Sequence, residues 1–423
     1  MPVDDLTVEA ERDAFLMQSA QRPFLGKERP TGVSVAVSGG SDSVGALLVM
    51  MQVARMQGFT LHAVTVDHAL RDRSAAEAAE VAQLCASMGV PHAVLVWQHG
   101  AVAGNLMDAA RRARYGLMAD WAAGQGISHI VLGHTADDHA ETFLMGLARK
   151  AGIGGLVGMQ SGWNQGGVRF MRPFLSVERK DLRSYLTRRG VSWMDDPSNE
   201  NDRFTRIKAR RALKALKPLG ITVETLGDVI HNLRMAQDAL ETAARDAAMR
   251  VCSERAGEVV FDRQAWDRTE QDVQRRLLIA ALRWISGAGY APRGSGVDRV
   301  MMAIAQGHDA TLAGCRIRVS AAAFRVVREP RAVAGLISVA GDDWDGRWQV
   351  DGPFAAGQEV RALGPDGLRQ CKGWKATGHS RDSLLVSPAV WYDDVVIAAP
   401  LAGFPAGFDA RIVAPFNQFV LSH

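Results

Sequence analysis

From residue 33 onward, short apolar runs alternate with longer stretches in which apolar residues recur every three or four positions. The runs 33–37, 61–66, 92–97 and 129–132 have strand length, while 42–58, 74–89 and 105–124 have helical length and spacing. The resulting βαβαβαβ order predicts a parallel sheet covered by helices on both faces, with its ligand crevice beyond the carboxyl ends of the strands. Ser74 followed by Glu77 predicts a capping box at the start of the second helix, and Gly89 predicts its stop. Pro218-Leu219-Gly220 breaks the pattern, and residues 221–283 then read as helical. Residues 287–330 are mixed. Beyond Gly341 the chain is rich in Gly, Pro and Trp, and short runs at 383–386 and 395–399 predict a small strand-containing domain. The expected division is an N-terminal extension (1–30), an α/β domain (31–220), a mostly helical domain (221–330) and a C-terminal domain (340–423).

Composition narrows the class. In 423 residues, 47% are hydrophobic and 22% charged, values of ordinary globular proteins that exclude collagen-like or wholly disordered chains. The longest apolar stretches, such as 44–51, stop well short of the roughly 20 residues that cross a bilayer. Asp4 and Asp5 stand where a secretory signal carries basic residues, so no export and a cytoplasmic location are expected. Cys85, Cys252, Cys315 and Cys371 are scattered, without a C-x-x-C pair, and read as reduced thiols, mostly core. Net charge is +3, but between Arg169 and Lys217 fourteen Lys/Arg face six Asp/Glu. Arg203-x-x-Arg206-x-Lys208-x-Arg210-Arg211 is either a solvated helical face or a footprint for a polyanion.

The first strand runs into Ser38-Gly39-Gly40-Ser41-Asp42-Ser43 at the start of a helix. Two glycines let backbone approach an anion, the hydroxyls donate, and the helix presents free N–H groups. Read alone, the segment is equally a Gly–Ser turn that caps a helix. Neither G-x-x-x-x-G-K-[ST] nor G-x-G-x-x-G is present, so the common nucleotide and dinucleotide loops are excluded. Val66-Asp67-His68-Ala69-Leu70-Arg71 follows the second strand, and Gly133-His134-Thr135-Ala136-Asp137-Asp138-His139-Ala140-Glu141-Thr142 follows the fourth. Asp137 or Asp138 pairs with Glu141 at helical spacing, so two carboxylates can face one point, or simply decorate a helix start. His134 and His139 match no standard zinc spacing. Arg111 and Tyr115 share a face in Ala110-Arg111-Arg112-Ala113-Arg114-Tyr115, fit for phosphate or for solvent.

Taken in order, S-G-G-S-D-S, V-D-H-A-L-R, A-R-R-A-R-Y, G-H-T-A-D-D-H-A-E-T, Arg172-Pro173-Phe174-Leu175, Asp195-Asp196-Pro197-Ser198-Asn199 and the arginine-rich helix resemble the PP-loop ATP pyrophosphatase superfamily and, within it, the tRNA(Ile)-lysidine synthase family. The resemblance runs from about residue 33 to 211. His139 stands where that family is expected to carry Gln, and Ile207 where it is expected to carry Asn. Beyond 220 only domain order and size correspond.

The resemblance implies a carbon–nitrogen ligase. ATP, with Mg2+, adenylates O2 of the wobble cytidine of a CAU-anticodon tRNA(Ile), and the side-chain amine of free L-lysine then attacks C2 and expels AMP. By the same resemblance Ser38, Gly39, Gly40, Ser41, Asp42 and Ser43 hold the pyrophosphate, with Val66, His68, Gly133 and His134 also on ATP. Asp42, Asp137, Asp138 and Glu141 form the catalytic set, in which Asp42 binds the metal, Asp137 and Glu141 recognise lysine, and Asp138 is an alternative partner of the metal. Arg111, Arg114, Arg203, Arg206 and Arg210 bind tRNA or phosphate. The domains after 220 contact and recognise tRNA, with Trp266, Trp284, Trp344 and Trp348 read as core before base stackers; a monomer or homodimer is expected. A tRNA thiolase would need reactive cysteines, an amidotransferase-coupled synthetase a glutaminase domain, and a non-catalytic RNA binder would be expected to have lost the acidic residues.

Overall fold

The computed structural model describes residues 3–26, 30–71, 73–100, 105–194 and 205–422, and the chain forms two compact units, 1–237 and 238–423. The first unit contains α1 (Val3–Gln21), β1 (Gly32–Ala36), α2 (Ser41–Gln57), β2 (Thr60–Asp67), α3 (Ser74–Ser87), β3 (His92–Val96), α4 (Leu106–Gly124), β4 (His129–Leu132), α5 (Ala136–Ala148), α6 (Ile153–Leu156), β5 (Gly162–Gln165), β6 (Val168–Met171), α7 (Arg179–Arg188) and α8 (Thr205–Leu216). The sheet order is β3-β2-β1-β4-β6-β5, parallel throughout except for the β5/β6 hairpin.

β1 is buried along its whole length because helices cover both faces. On one face Val33, Val35 and Val37 pack with Leu47 and Met50 of α2, Val81 of α3 and Leu182 of α7. On the other, Ala36, Val64 and Ile130 pack with Tyr115, Met118 and Ala122 of α4. The sheet grows from β1 first toward β2 and β3 and then, past β1, toward β4. The strand order therefore reverses between β1 and β4, and a crevice opens beyond their carboxyl ends. The segment read as an N-terminal extension is part of this core, since Leu16, Ala20 and Phe24 are buried in it.

One local expectation changes. Ser74 is already the first helical residue of α3 and caps nothing, while Glu77 accepts from Arg71 Nη2 at 3.2 Å. A capping box forms instead at α5, where Asp138 Oδ2 accepts from both the backbone N–H (3.0 Å) and the hydroxyl (3.1 Å) of Thr135. Gly89, at φ +70, ends α3 as expected.

The second unit begins within α9 (Val223–Val251) and continues through β7 (Cys252–Arg255), β8 (Glu258–Asp262), α10 (Arg263–Asp267), α11 (Gln271–Ser286), α12 (Gly294–Ala305), β9 (Ala310–Leu312), β10 (Cys315–Val319), β11 (Ala323–Arg328), α13 (Pro330–Val333), β12 (Trp348–Asp351), β13 (Glu359–Ala362), α14 (Gly364–Gln370), α15 (Arg381–Leu385), β14 (Pro388–Tyr392), β15 (Val395–Ala398), β16 (Asp409–Ile412) and α16 (Phe416–Ser422). The interval read as helical up to 283 thus includes the β7/β8 hairpin, which joins the five-stranded sheet β7-β8-β11-β10-β9. The run at 383–386 is mostly the end of α15, capped by the Ser380 hydroxyl accepting from Ser383 N–H, and not a strand. Trp266, Trp284, Trp344 and Trp348 are all buried, which makes them core residues.

Candidate active site

β1 releases the chain at Val37, whose N–H donates to Val64 O at 2.9 Å, and α2 starts at Ser41. Between them the loop is tied to itself: Ser38 N–H donates to Ser43 Oγ at 3.1 Å, and Ser43 Oγ donates to Gly40 O at 3.0 Å. Gly39 takes φ +86, and a Cβ there would lie 1.7 Å from Met194 Cε. Only glycine fits. Gly133 is required for a different reason. A Cβ at that position would stand 2.7 Å from Asp42 O and 2.9 Å from Ser43 Cα, so its absence lets the end of β4 lie directly against the start of α2.

The loop opens onto a cavity of about 1260 Å³, more than the upper end of the roughly 300–1,000 Å³ usual for one small ligand. Of the residues expected to act, Ser38, Gly40, Ser41, Asp42, Ser43, Val66, His68, Arg111, Arg114, Asp138, Arg206 and Arg210 line it. Gly39, Gly133, His134, Asp137 and Glu141 are not among its lining residues. Arg203 and Asp195 to Asn199 lie outside the described residues.

Sequence reading gave Arg179 no role, yet it organises the site. Its Nε donates to Asp42 Oδ2 (2.7 Å), Nη2 to Asp138 Oδ1 (3.0 Å), and Nη1 lies 3.6 Å from Glu141 Oε1. Its backbone N–H donates to Asp137 Oδ2 at 2.7 Å, which fixes the start of α7. The local signal was present as a basic residue opening a helix soon after Arg172-Pro173-Phe174-Leu175, but nothing in the spacing announced three carboxylate partners. Burial opposes its charge, but Asp138 and Asp42 outweigh it and hold the guanidinium firmly protonated.

The carboxylates respond differently to the same surroundings. Burial raises the Asp42 carboxyl, against the pull of Arg179 and with repulsion from Asp138 added. Asp138 is buried too, yet Arg179 and the Thr135 N–H bring it below the usual carboxylate range. Glu141 is raised by burial, against Arg210, whose Nε donates to Oε1 at 2.9 Å. Its other oxygen, Oε2, is buried with no donor among the described residues. Arg172 Nε donates to His134 Nδ1 at 3.1 Å, which leaves the ring proton on Nε2. Burial, aided by Arg172, pushes His134 down to about 3, so it is neutral near pH 7. His139 Nε2 donates to Val157 O at 3.2 Å, turned toward α6.

The facing side of the cavity is cationic. Burial depresses the Arg114 guanidinium, and Arg111 and Arg206 add to the effect, so three positive charges converge where an anion would relieve them. Among the described residues no three His, Cys, Asp or Glu side chains are grouped to hold a metal, which disfavours an all-protein cage. Asp42 beside Asp138 suits Mg2+, which takes one or two carboxylates and completes its shell with phosphate and water.

Residues 14–216 match the family model of the PP-loop domain. Over 405 residues the chain is 40% identical to the tRNA(Ile)-lysidine synthase of Ruegeria pomeroyi, covering 95% of this chain and 97% of that protein. The chain belongs to the tRNA(Ile)-lysidine synthase family. The synthase of Hyphomonas neptunium is 38% identical over 296 residues, covering 68% of this chain and 78% of that one. A solved U34-tRNA thiolase, NcsA from Methanococcus maripaludis with its [4Fe-4S] cluster, is far more distant, at 13% identity and a TM-score of 0.46 over 53% of this chain and 78% of that one. This chain's one cysteine in the first unit, Cys85, is buried and pushed up to about 11, unlike a reactive thiolate. No helix among the described residues is long and apolar enough to cross a membrane.

Proposed function

We propose that this chain ligates free lysine to C2 of the wobble cytidine of a CAU-anticodon tRNA(Ile), with ATP cleaved to AMP and pyrophosphate. The observation that carries this reading is Glu141: a nearly enclosed carboxylate with one oxygen unpaired among the described residues, within ion-pairing distance of the arginine that grips Asp42 of the pyrophosphate loop. A buried oxygen of that kind calls for a cationic donor, and an amino acid ammonium supplies one.

In this reading the β and γ phosphates lie on Ser38, Ser41 and Ser43 and the N-terminus of α2, with Gly39 and Gly40 giving the backbone room. Mg2+, held by Asp42 and the phosphates, would offset charge as the α,β bond breaks. Val66 and His68, at the end of β2, meet the nucleoside. Arg111, Arg114, Arg206 and Arg210 position RNA or nucleotide phosphates, and Arg203 extends that run. The cytidine O2 takes the adenylyl group and becomes a leaving group; the lysine side-chain nitrogen then forms its bond to C2 as AMP departs with the C–O electron pair.

Near pH 7 only about one free lysine side chain in 2,500 is neutral. A carboxylate that bound the reacting ammonium would raise its pKa and suppress attack. Glu141 and Asp137 therefore serve best by anchoring the lysine away from its reacting nitrogen. Asp137 has one oxygen left for this after holding the Arg179 N–H. The test is AMP formation by D42A in the presence of tRNA and lysine. A loss of at least roughly 100-fold is expected, the scale of a removed electrostatic stabiliser; AMP formation at the parent rate would refute the assignment of pyrophosphate and metal to this loop.

A further inference from the structure

The unit 238–423 holds a second cavity, of about 280 Å³, that the reaction above does not use. Two arginines reach it. Arg347 is only 7% exposed, its guanidinium lies 4.5 Å over the Trp284 ring, and Nη2 donates to Gly257 O at 2.8 Å. Its Nε–H is buried without an acceptor among the described residues. Arg283, on α11, lies 5.5 Å over the Phe419 ring with Nη2 3.4 Å from Gly289 O, and its Nε is likewise buried and unpartnered.

Such an arrangement is costly without a ligand. A buried cationic N–H with no acceptor forfeits hydration and recovers nothing in exchange. Burial lowers both guanidinium groups, Arg347 to about 10, with Asp345 opposing there but accepting no hydrogen bond from it. Among the described residues no carboxylate lines the cavity, and its apolar wall includes Trp284, Ile412 and Phe419. The Trp284 N–H is already spent on Ala414 O at 2.7 Å, so the aromatic wall offers surface and no donor. The volume lies just below the roughly 300–1,000 Å³ range of small-molecule pockets, the scale of one small ligand.

We propose that this cavity is a nucleotide-phosphate site, in which Arg283 and Arg347 hold the phosphate and the apolar wall receives the base. The chemistry, a phosphate on a flat apolar body, is offered by a nucleotide of an RNA or by a free mononucleotide. The RNA source is the one favoured, and that choice rests on the tRNA reading given above.

The test uses the full chain. Binding of a CAU-anticodon tRNA transcript is measured against salt for the parent, R283Q, R283K and R347Q, and AMP stoichiometry is measured with the first cavity saturated by a non-cleavable ATP analogue. R283Q and R347Q are expected to weaken tRNA binding by about 10-fold or more and to flatten the slope of log K against log salt by about 1, while R283K retains the slope. The KM for tRNA should rise with kcat unchanged. If AMP occupies one more site on the parent than on R283Q while tRNA binding is unaltered, the site stands and its source is the free nucleotide. Unchanged tRNA affinity and slope together with no Arg283-dependent AMP site would overturn the proposal. Should R347Q fail to fold, R283Q decides, because Arg283 is only partly buried. A parent that transfers no lysine would refute the functional reading alone, since both binding arms still report on this cavity.

Discussion

Glu141 is almost fully enclosed, and one of its oxygens accepts from nothing among the described residues. Burial raises its carboxyl above the ordinary value of about 4.3, and Arg210 and Arg179 pull the other way without cancelling the shift. Between that ordinary value and the raised one, the folded chain binds more protons than the unfolded chain. Stability from this group therefore falls as pH rises through the window, and its charge is a burden at neutral pH. E141Q removes the charge and keeps the shape. Thermal melts at neutral pH should show a variant no less stable than the parent, with any advantage fading as the pH is lowered toward 4. Lysine-dependent kinetics should show the opposite, a KM for lysine raised roughly 10- to 150-fold, as expected for one lost hydrogen bond to a charged group of about 1.5–3 kcal/mol. A melt and a KM both equal to the parent's would place the amine pocket elsewhere.

At the scale of elements, the site depends on how closely β4 meets α2. Gly133 has no room for a methyl group, which would press on the backbone of Asp42 and Ser43, whereas a Cβ at Gly40 would meet nothing within 4 Å. Chemical denaturation should find G133A destabilised by about 1–3 kcal/mol, as for other overpacked sites, and G40A within about 0.5 kcal/mol of the parent. Equal stabilities would mean that this junction is not tight. In the first unit, β1 to β4 and the helices between them were legible because each run had one consistent period, and the motifs at Ser38, Val66 and Gly133 fell at strand carboxyl ends; α1, α6, α7 and the β5/β6 hairpin were not read. What the sequence concealed were long-range facts. Arg179 looks like one more basic residue until the fold brings Asp42, Asp138 and Glu141 around it. Ser74 and Glu77 have the pattern of a capping box, but the helix starts one residue too early to use it. The β7/β8 hairpin was masked by flanking helices, because a four-residue strand lies below what periodicity resolves.

At the scale of the whole molecule, two units divide the work. The first gathers an anion loop, a cluster of carboxylates and a converging set of arginines around one large cavity. The second holds a separate small cavity reached by two arginines, Arg347 buried and Arg283 half-buried. Phosphate contacts position RNA and do not read it, so discrimination of the wobble cytidine requires contacts to base edges beyond these arginines. The decisive measurement is ATP-dependent transfer of labelled lysine to a CAU-anticodon tRNA(Ile), run beside an initiator CAU tRNA and a tRNA without a wobble cytidine. Stable label on the first tRNA alone, with AMP and pyrophosphate released in step, is the expected result. AMP release that depends on RNA but leaves no lysine attached would contradict the assignment of lysine as the nucleophile.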